Sequence, residues 1–122
     1  MSKRFLCSMV SVAVLAACGG SSPTGSDLCS KATSVVNSFN TKNAACFQGS
    51  TGATPPSSTC TQSLTQCSSS DQATLNTYLD CLNGLPACTI ATATTWGTQA
   101  QACATPVNSV SQACRTATGA GT

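Results

Sequence analysis

Apolar side chains return along this chain at intervals of three and four residues, interrupted by short clusters of glycine, proline and serine. Leu28, Ala32, Val35, Val36 and Phe39 form the first stripe, the spacing of an amphipathic helix. Asp27 stands at its start as a cap, and the stripe ends near Asn43, just ahead of Cys46. Between Gln48 and Ser58, two glycines and Pro55-Pro56 predict a loop. Cys60, Leu64 and Cys67 then fall at i, i+4 and i+7, one face of a short second helix for which Ser57 to Thr59 offer caps. Ser69 followed by Gln72 reads as a capping box. It opens a third helix with the stripe Leu75, Tyr78, Leu79 and Leu82. Asn83-Gly84 predicts a left-handed stop, with Leu85 folding back on Leu79 and Pro86 ending the helix.

The stretch Thr89 to Thr95 is threonine-rich, and its pattern leaves helix and extended chain both open. From Trp96 the stripe resumes through Ala100, Cys103, Val107, Val110 and Cys114, alternating four- and three-residue steps along one seam. Pro106 interrupts it. Either the helix kinks there, or Thr105 caps a fifth helix that begins at Pro106. The expected fold is all-α: a small disulfide-stapled bundle of four to five short helices in up-down order over residues 26–118, with 119–122 as a frayed tail.

The beginning of the chain follows a different pattern. Ser2-Lys3-Arg4 is a short basic start, and Phe5 to Ala17 is an uncharged apolar run relieved only by Ser8 and Ser11. That order of regions marks an export signal, and the run falls short of the ~20 residues that span a bilayer as a helix. It closes on Leu15-Ala16-Ala17-Cys18, followed by Gly19-Gly20. These residues resemble the lipobox of bacterial lipoproteins, a resemblance confined to residues 1 to about 20. It implies a signal peptide over 1–17, a diacylglycerol thioether on the Cys18 sulfur, cleavage before Cys18, and acylation of the new amine by a chain such as palmitate. Several acyl chains hold a protein on a membrane where one binds only marginally. In Gram-negative members of the family, Asp after the lipidated Cys retains the protein at the inner membrane. Gly19 in that place implies the outer membrane. Residues 18–25, from Cys18 through the run GGSSPTG, are then the lipidated residue and a flexible tether, and Cys7 is lost with the leader.

Composition sharpens this picture. The full chain carries a formal charge of +2 and has no His. Lys3 and Arg4 supply that excess, because Lys31, Lys42 and Arg115 balance Asp27, Asp71 and Asp80. A neutral domain has no electrostatic footprint for nucleic acid. Its large apolar residues are few, so a core built from them alone leaves the fold marginal. Ten cysteines offset this. Without Cys7 and Cys18 they form an even set, which in an exported small domain reads as a disulfide framework. Zinc is disfavoured, since no closely spaced Cys pair and no His is present.

Twin Cys-x6-Cys spacings resemble helical hairpins stapled by paired Cys-x9-Cys motifs. Symmetric pairing of that kind centres the turn at Thr74, whereas the capping signals put it near Ser69. Height in an alternating bundle, at about 1.5 Å per residue, predicts Cys29–Cys114, Cys67–Cys103, Cys60–Cys81 and Cys46–Cys88 instead.

Candidate chemistry is sparse. The chain has no Glu, its three Asp are scattered and not clustered, and its many hydroxyls have no base beside them. Asp27 reads as a cap, Asp71 as a first-turn residue favoured by the helix dipole, and Asp80 as a solvated side chain. Arg115 beside Cys114 is the one hint of a reactive thiol. The sequence points to no catalysis, cofactor or metal. It leaves a lipid-anchored interaction or structural module of the envelope, meeting an envelope protein, or a carrier of a small apolar ligand or lipid. Trp96, Tyr78 and Phe39 are the residues to line a pocket in the second case, and the core in the first.

Overall fold

The computed structural model describes residues 24–47 and 52–120. The expected signal peptide (1–17), Cys18, the tether as far as residue 23 and the last two residues of the tail lie outside the described residues. The described chain is all-α. Its helices are α1 (Gly25–Asn43), α2 (Cys60–Ser63), α3 (Ser69–Gly84), α4 (Ala93–Ala104) and α5 (Gln112–Thr118). Turns of 3-10 helix lie at Leu64–Gln66, Ile90–Thr92 and Thr105–Ser109. Four disulfides staple these elements into a small bundle.

The helix starts are set by reciprocal caps, each a short step from where the pattern puts it. Thr24, not Asp27, caps α1. Its hydroxyl accepts from the Asp27 N–H while the Asp27 carboxylate accepts from the Thr24 N–H. The helix therefore begins inside the stretch expected to be tether. Ser68 and Asp71 form the same box on α3, one residue before the expected Ser69–Gln72 pair. The Gln72 amide turns back instead to donate to the Leu64 and Cys67 carbonyls. Asn83-Gly84 makes no left-handed stop, because Gly84 stays helical and Leu85 leaves in an extended conformation. Among the described residues the left-handed region is used only by Gly119, the C-cap of α5 at φ 68°, where glycine avoids the Cβ penalty. Pro106 neither kinks α4 nor starts a capped helix at Thr105. It sits early in the 3-10 turn, the chain opens at Val110, and Ser111 caps α5.

Topology departs from simple alternation. α1 rises, and the proline-containing segment before α2 brings the chain back down beside it. The Asn40 side-chain amide clamps this return by pairing with both the N–H and the carbonyl of Ala53 at 2.9 Å. A Cβ on Gly52 would meet the Asn40 carbonyl oxygen at 2.5 Å, so the clamp requires glycine there. By Cys60 the chain has reached the first turn of α1, where Gly25 faces Thr61 and Leu64. α3 then rises parallel to α1. Lys31 bonds Asn76 and Asp80, and Lys42 donates to the Asn83 carbonyl while its own carbonyl accepts from the Cys88 N–H. α4 descends against α3, with Trp96 bonded to the Pro86 carbonyl near the top and Ser111 to Asp71 at the bottom.

That route corrects the expected disulfides. Cys46–Cys88 joins the upper ends of α1 and α3, as height in the bundle predicts. The other three differ. Cys29 bonds Cys60 and not Cys114, Cys67 bonds Cys114 and not Cys103, and Cys81 bonds Cys103 and not Cys60. One cause accounts for all three. The expectation used the second helix to carry the chain down, whereas α2 is a single turn and the loop before it makes the descent. Cys60 thus stands at the lower end beside Cys29, which leaves Cys67 for Cys114 and Cys81 for Cys103.

The core fills the space between α1, α3 and α4. Leu28 and Val35, Leu75, Leu79 and Leu82, and Trp96 and Val107 are all buried, with the Cys67, Cys88, Cys103 and Cys114 sulfurs among them. Phe39 and Phe47 lean on the Trp96 ring at centroid distances of 5.1 and 5.9 Å. Trp96 and Phe39 thus belong to the core. Replacing Cys67 and Cys114 together by alanine opens a link across 47 residues and is expected to lower stability by about 4 kcal/mol on loop entropy. The Cys81/Cys103 double variant opens a link across 22 residues and should lose about 3 kcal/mol. Urea titrations of the two variants check both the order and the size.

Candidate functional site

Two features of the described chain have the makings of a site: a carboxylate at the lower end and a groove along the side. The carboxylate is Asp71, buried at 7% exposure. One of its oxygens accepts from the Ser111 N–H at 3.0 Å. The other accepts from the Ser111 hydroxyl at 2.8 Å and from the Ser68 N–H at 3.1 Å. Ser111 in turn receives the Cys114 N–H on its hydroxyl. One carboxylate therefore joins the N-terminal caps of α3 and α5, where two helix dipoles present their positive ends. The hydrogen bonds from Ser111, then those from Ser68, hold its pKa down to about 2, against the opposing effect of burial. Donors of two caps engage both oxygens, so Asp71 ties the start of α3 to that of α5, a larger part than that of a first-turn residue.

The other expected chemistry is similarly engaged. Asp27 belongs to the cap of α1, and Asp80 is not simply solvated but ion-paired with Lys31 at 2.6 Å. That pair is partly exposed and is worth less than about 1 kcal/mol. Cys114, the neighbour of Arg115, is fully buried and bonded to Cys67. All eight cysteines expected to pair do so, and Cys18 lies outside the described residues. No cluster of three or more His, Cys, Asp or Glu that could hold a metal occurs among the described residues. No described helix is long and apolar enough to cross a membrane.

The groove runs over α3, between α1 with the returning segment on one side and α4 with its 3-10 extension on the other. Its volume is about 850 Å³ and it is open to solvent along one side. α1 contributes Leu28, Ala32 and Val36 at four-residue steps, and α3 contributes Leu75, Tyr78 and Leu79. Ala53 and Pro56 of the returning segment form a rim, and the end of α5 closes the groove with Thr118, Gly119 and Ala120. The opposite wall is polar. Gln101, Thr105 and Asn108 lie there at four- and three-residue steps, around Ala104. None of their side chains makes a hydrogen bond among the described residues. The Tyr78 ring is half-buried, and burial pushes its phenol pKa up, so the hydroxyl stays protonated. No Lys, Arg or Asp lines the groove.

Of the three aromatic residues expected to line a pocket, Tyr78 alone does so. Sequence reasoning missed the polar wall, although its signal was present: Gln101, Thr105 and Asn108 follow helical spacing beside the apolar seam of Cys103 and Val107. No protein-family model matches this chain, and neither does a curated protein or a solved structure.

The Asp71 arrangement predicts a specific acid response. A carboxyl whose folded pKa is depressed to about 2 stabilises the fold fully above its unfolded value near 3.8, and that contribution disappears as pH falls through about 2. Asp71→Asn should lower the melting temperature at neutral pH and flatten the loss of stability between about pH 4 and pH 2. Thermal melts across that window check this. An unchanged acid limb in the variant would show that another group carries it.

Proposed function

We propose that this chain is a lipid-anchored protein of the bacterial envelope, held at the outer membrane by acyl chains on Cys18, and that it acts without catalysis by binding. The motif Leu15-Ala16-Ala17-Cys18 supports the anchor. Four disulfides fit an oxidising compartment. The engaged state of Asp27, Asp71 and Asp80 favours a role in binding over one in reaction.

The observation that carries the interaction reading is the disposition of the two ends of the bundle. The tether enters at the start of α1. That helix has 19 residues, which at about 1.5 Å per residue is roughly 28 Å. Beyond its far end, beside the Cys46–Cys88 bridge, Ile90 is 83% exposed and Phe47 40% exposed. An anchor at one end thus presents an apolar tip at the other, directed away from the membrane and toward an envelope partner. The groove favours a second reading, a carrier of a small apolar ligand, and the two are compatible in one molecule.

Cys18→Ala is expected to abolish incorporation of labelled palmitate and to deplete the chain from the membrane fraction. A variant that still takes up the label and fractionates with the outer membrane would refute the anchor. For the tip, Ile90→Asp should change stability by less than about 0.5 kcal/mol, because the side chain is solvated. It should also remove crosslinks formed in intact cells through this end of the bundle. Crosslinks that survive the substitution would locate the partner surface elsewhere.

A further inference from the structure

The Cys81–Cys103 bridge differs from the other three in its surroundings, and we propose that it is a thiol–disulfide exchange site, attacked at Cys81 by a thiolate of a dithiol protein. Among the eight bridged cysteines Cys81 alone is exposed, whereas its partner Cys103 is buried. Both line a cleft of about 390 Å³ between α3 and α4, open to solvent. Gly84 and Pro86 form one rim, and Gln99 and Ala102 form the other. A Cβ on Gly84 would meet nothing within 4 Å, so there is room here for an incoming group. The one charged residue lining the cleft is Asp80, and Lys31 stands against it at 2.6 Å.

Exchange brings the attacking sulfur in line with the S–S bond, and its rate depends on access to the sulfur attacked. Cys67, Cys88 and Cys114 are closed to that approach by burial, and Cys29, Cys46 and Cys60 are half-buried. At Cys81 the thiolate forms a new S–S bond and the old one breaks. Its electron pair leaves on the Cys103 sulfur, which takes a proton from water. The partner's second thiolate then attacks its own sulfur and releases Cys81, which is protonated in turn. The bridge has gained two electrons and two protons, and the partner dithiol has become a disulfide. The same steps reversed close the bridge again.

Opening this bridge leaves the fold assembled. Its separation of 22 residues is the shortest of the four, so it restrains the unfolded chain least. α4 is still held near both ends. Trp96 donates to the Pro86 carbonyl at 2.8 Å, and Val107 is buried just past the helix, with Cys67–Cys114 beyond it. What opening removes is the covalent tie in the last turn of α4, a helix that borders both this cleft and the groove, to which it gives Gln101 and Ala104. The state of the bridge therefore sets how firmly one wall of the groove is held. The exchange itself needs neither the acyl anchor nor a ligand in the groove.

The test uses the whole oxidised chain, with any thiol free at the start, Cys7 and Cys18 included, first blocked by N-ethylmaleimide. Reduced glutathione is the probe, and samples are quenched with an isotopically distinct N-ethylmaleimide and mapped by mass spectrometry. Glutathione should appear on Cys81 and the new label on Cys103, about tenfold faster than any change at the other bridges. Amide exchange should rise across α4 and stay unchanged in α1. Gly84→Phe and Ala102→Trp shield the cleft from opposite rims at exposed positions. Each should slow the reaction about fivefold or more, while the thermal midpoint of the oxidised chain does not fall. Reduced thioredoxin, a dithiol protein, should open the same bridge, and should be trapped on Cys81 when its second cysteine is replaced by serine. The Cys81→Ser/Cys103→Ser double variant should keep the other three bridges and the native helical signal, and take up no glutathione. Glutathione on Cys103, faster opening of another bridge, or rates indifferent to both cleft variants would overturn the proposal. So would thioredoxin that leaves the bridge closed, or loss of the native helical signal when this bridge alone opens.

Discussion

The lower end of the bundle is closed by one junction, and the placement of α5 against the rest depends on it. There the Cys67–Cys114 bridge and the Asp71 carboxylate tie the start of α3 to α5. The bridge is covalent and buried, and the carboxylate satisfies donors from two helix caps at once. α5 has only seven residues, too few to be stable alone in water. The junction sets it against α2 and the following 3-10 turn. Cys29–Cys60 then fixes α2 to the first turn of α1, and Cys81–Cys103 and Cys46–Cys88 secure the upper half. The apolar core is small because cross-links carry part of the task that packing performs in larger domains.

The helical faces were legible in the sequence because the apolar stripes are regular, but their extent was not everywhere: α2 is a single turn, and the seam from Trp96 divides into α4, a 3-10 turn and α5. The end of α1 at Asn43 and the seam from Trp96 to Cys114 follow the pattern directly. Boundaries shifted by a residue or two because several adjacent hydroxyls compete to cap. Ser68 and Ser69 are chemically equivalent, and only the burial of Asp71 against Ser111 selects Ser68. Pairing of the cysteines was mostly illegible. It depends on which segment carries the chain back down. Pro55-Pro56 marks a loop but does not show that the loop runs the length of α1, where Asn40 holds it. The groove had a partial signal, since the polar row Gln101, Thr105 and Asn108 keeps helical spacing. Its apolar wall could not be separated from the core, because Leu28, Leu75 and Leu79 serve both.

On the proposed reading, this cross-linked domain meets its partner at a membrane surface. Its three Asp are engaged by caps or an ion pair, and Lys31 and Lys42 by Asp80 and the Asn83 carbonyl. What remains available is shape: an apolar tip at Ile90 and an uncharged groove over α3. Both are held by elements with covalent ties, so neither surface requires large rearrangement to form. Rigid presentation lowers the entropic penalty of binding, which matters most where contacts are apolar and hydrogen bonds few.

The central claim is that cross-links, and above all the buried Cys67–Cys114 junction, hold a fold that its apolar core alone does not. The most direct measurement is helical circular dichroism of the chain under graded thiol reductant, with alkylation of released thiols at each step. The account predicts that exposed Cys81 yields its bridge before the fully buried Cys114 does, and that cooperative thermal unfolding disappears once Cys67–Cys114 opens. A fully reduced and alkylated chain that kept the native helical signal and a sharp thermal transition would contradict it.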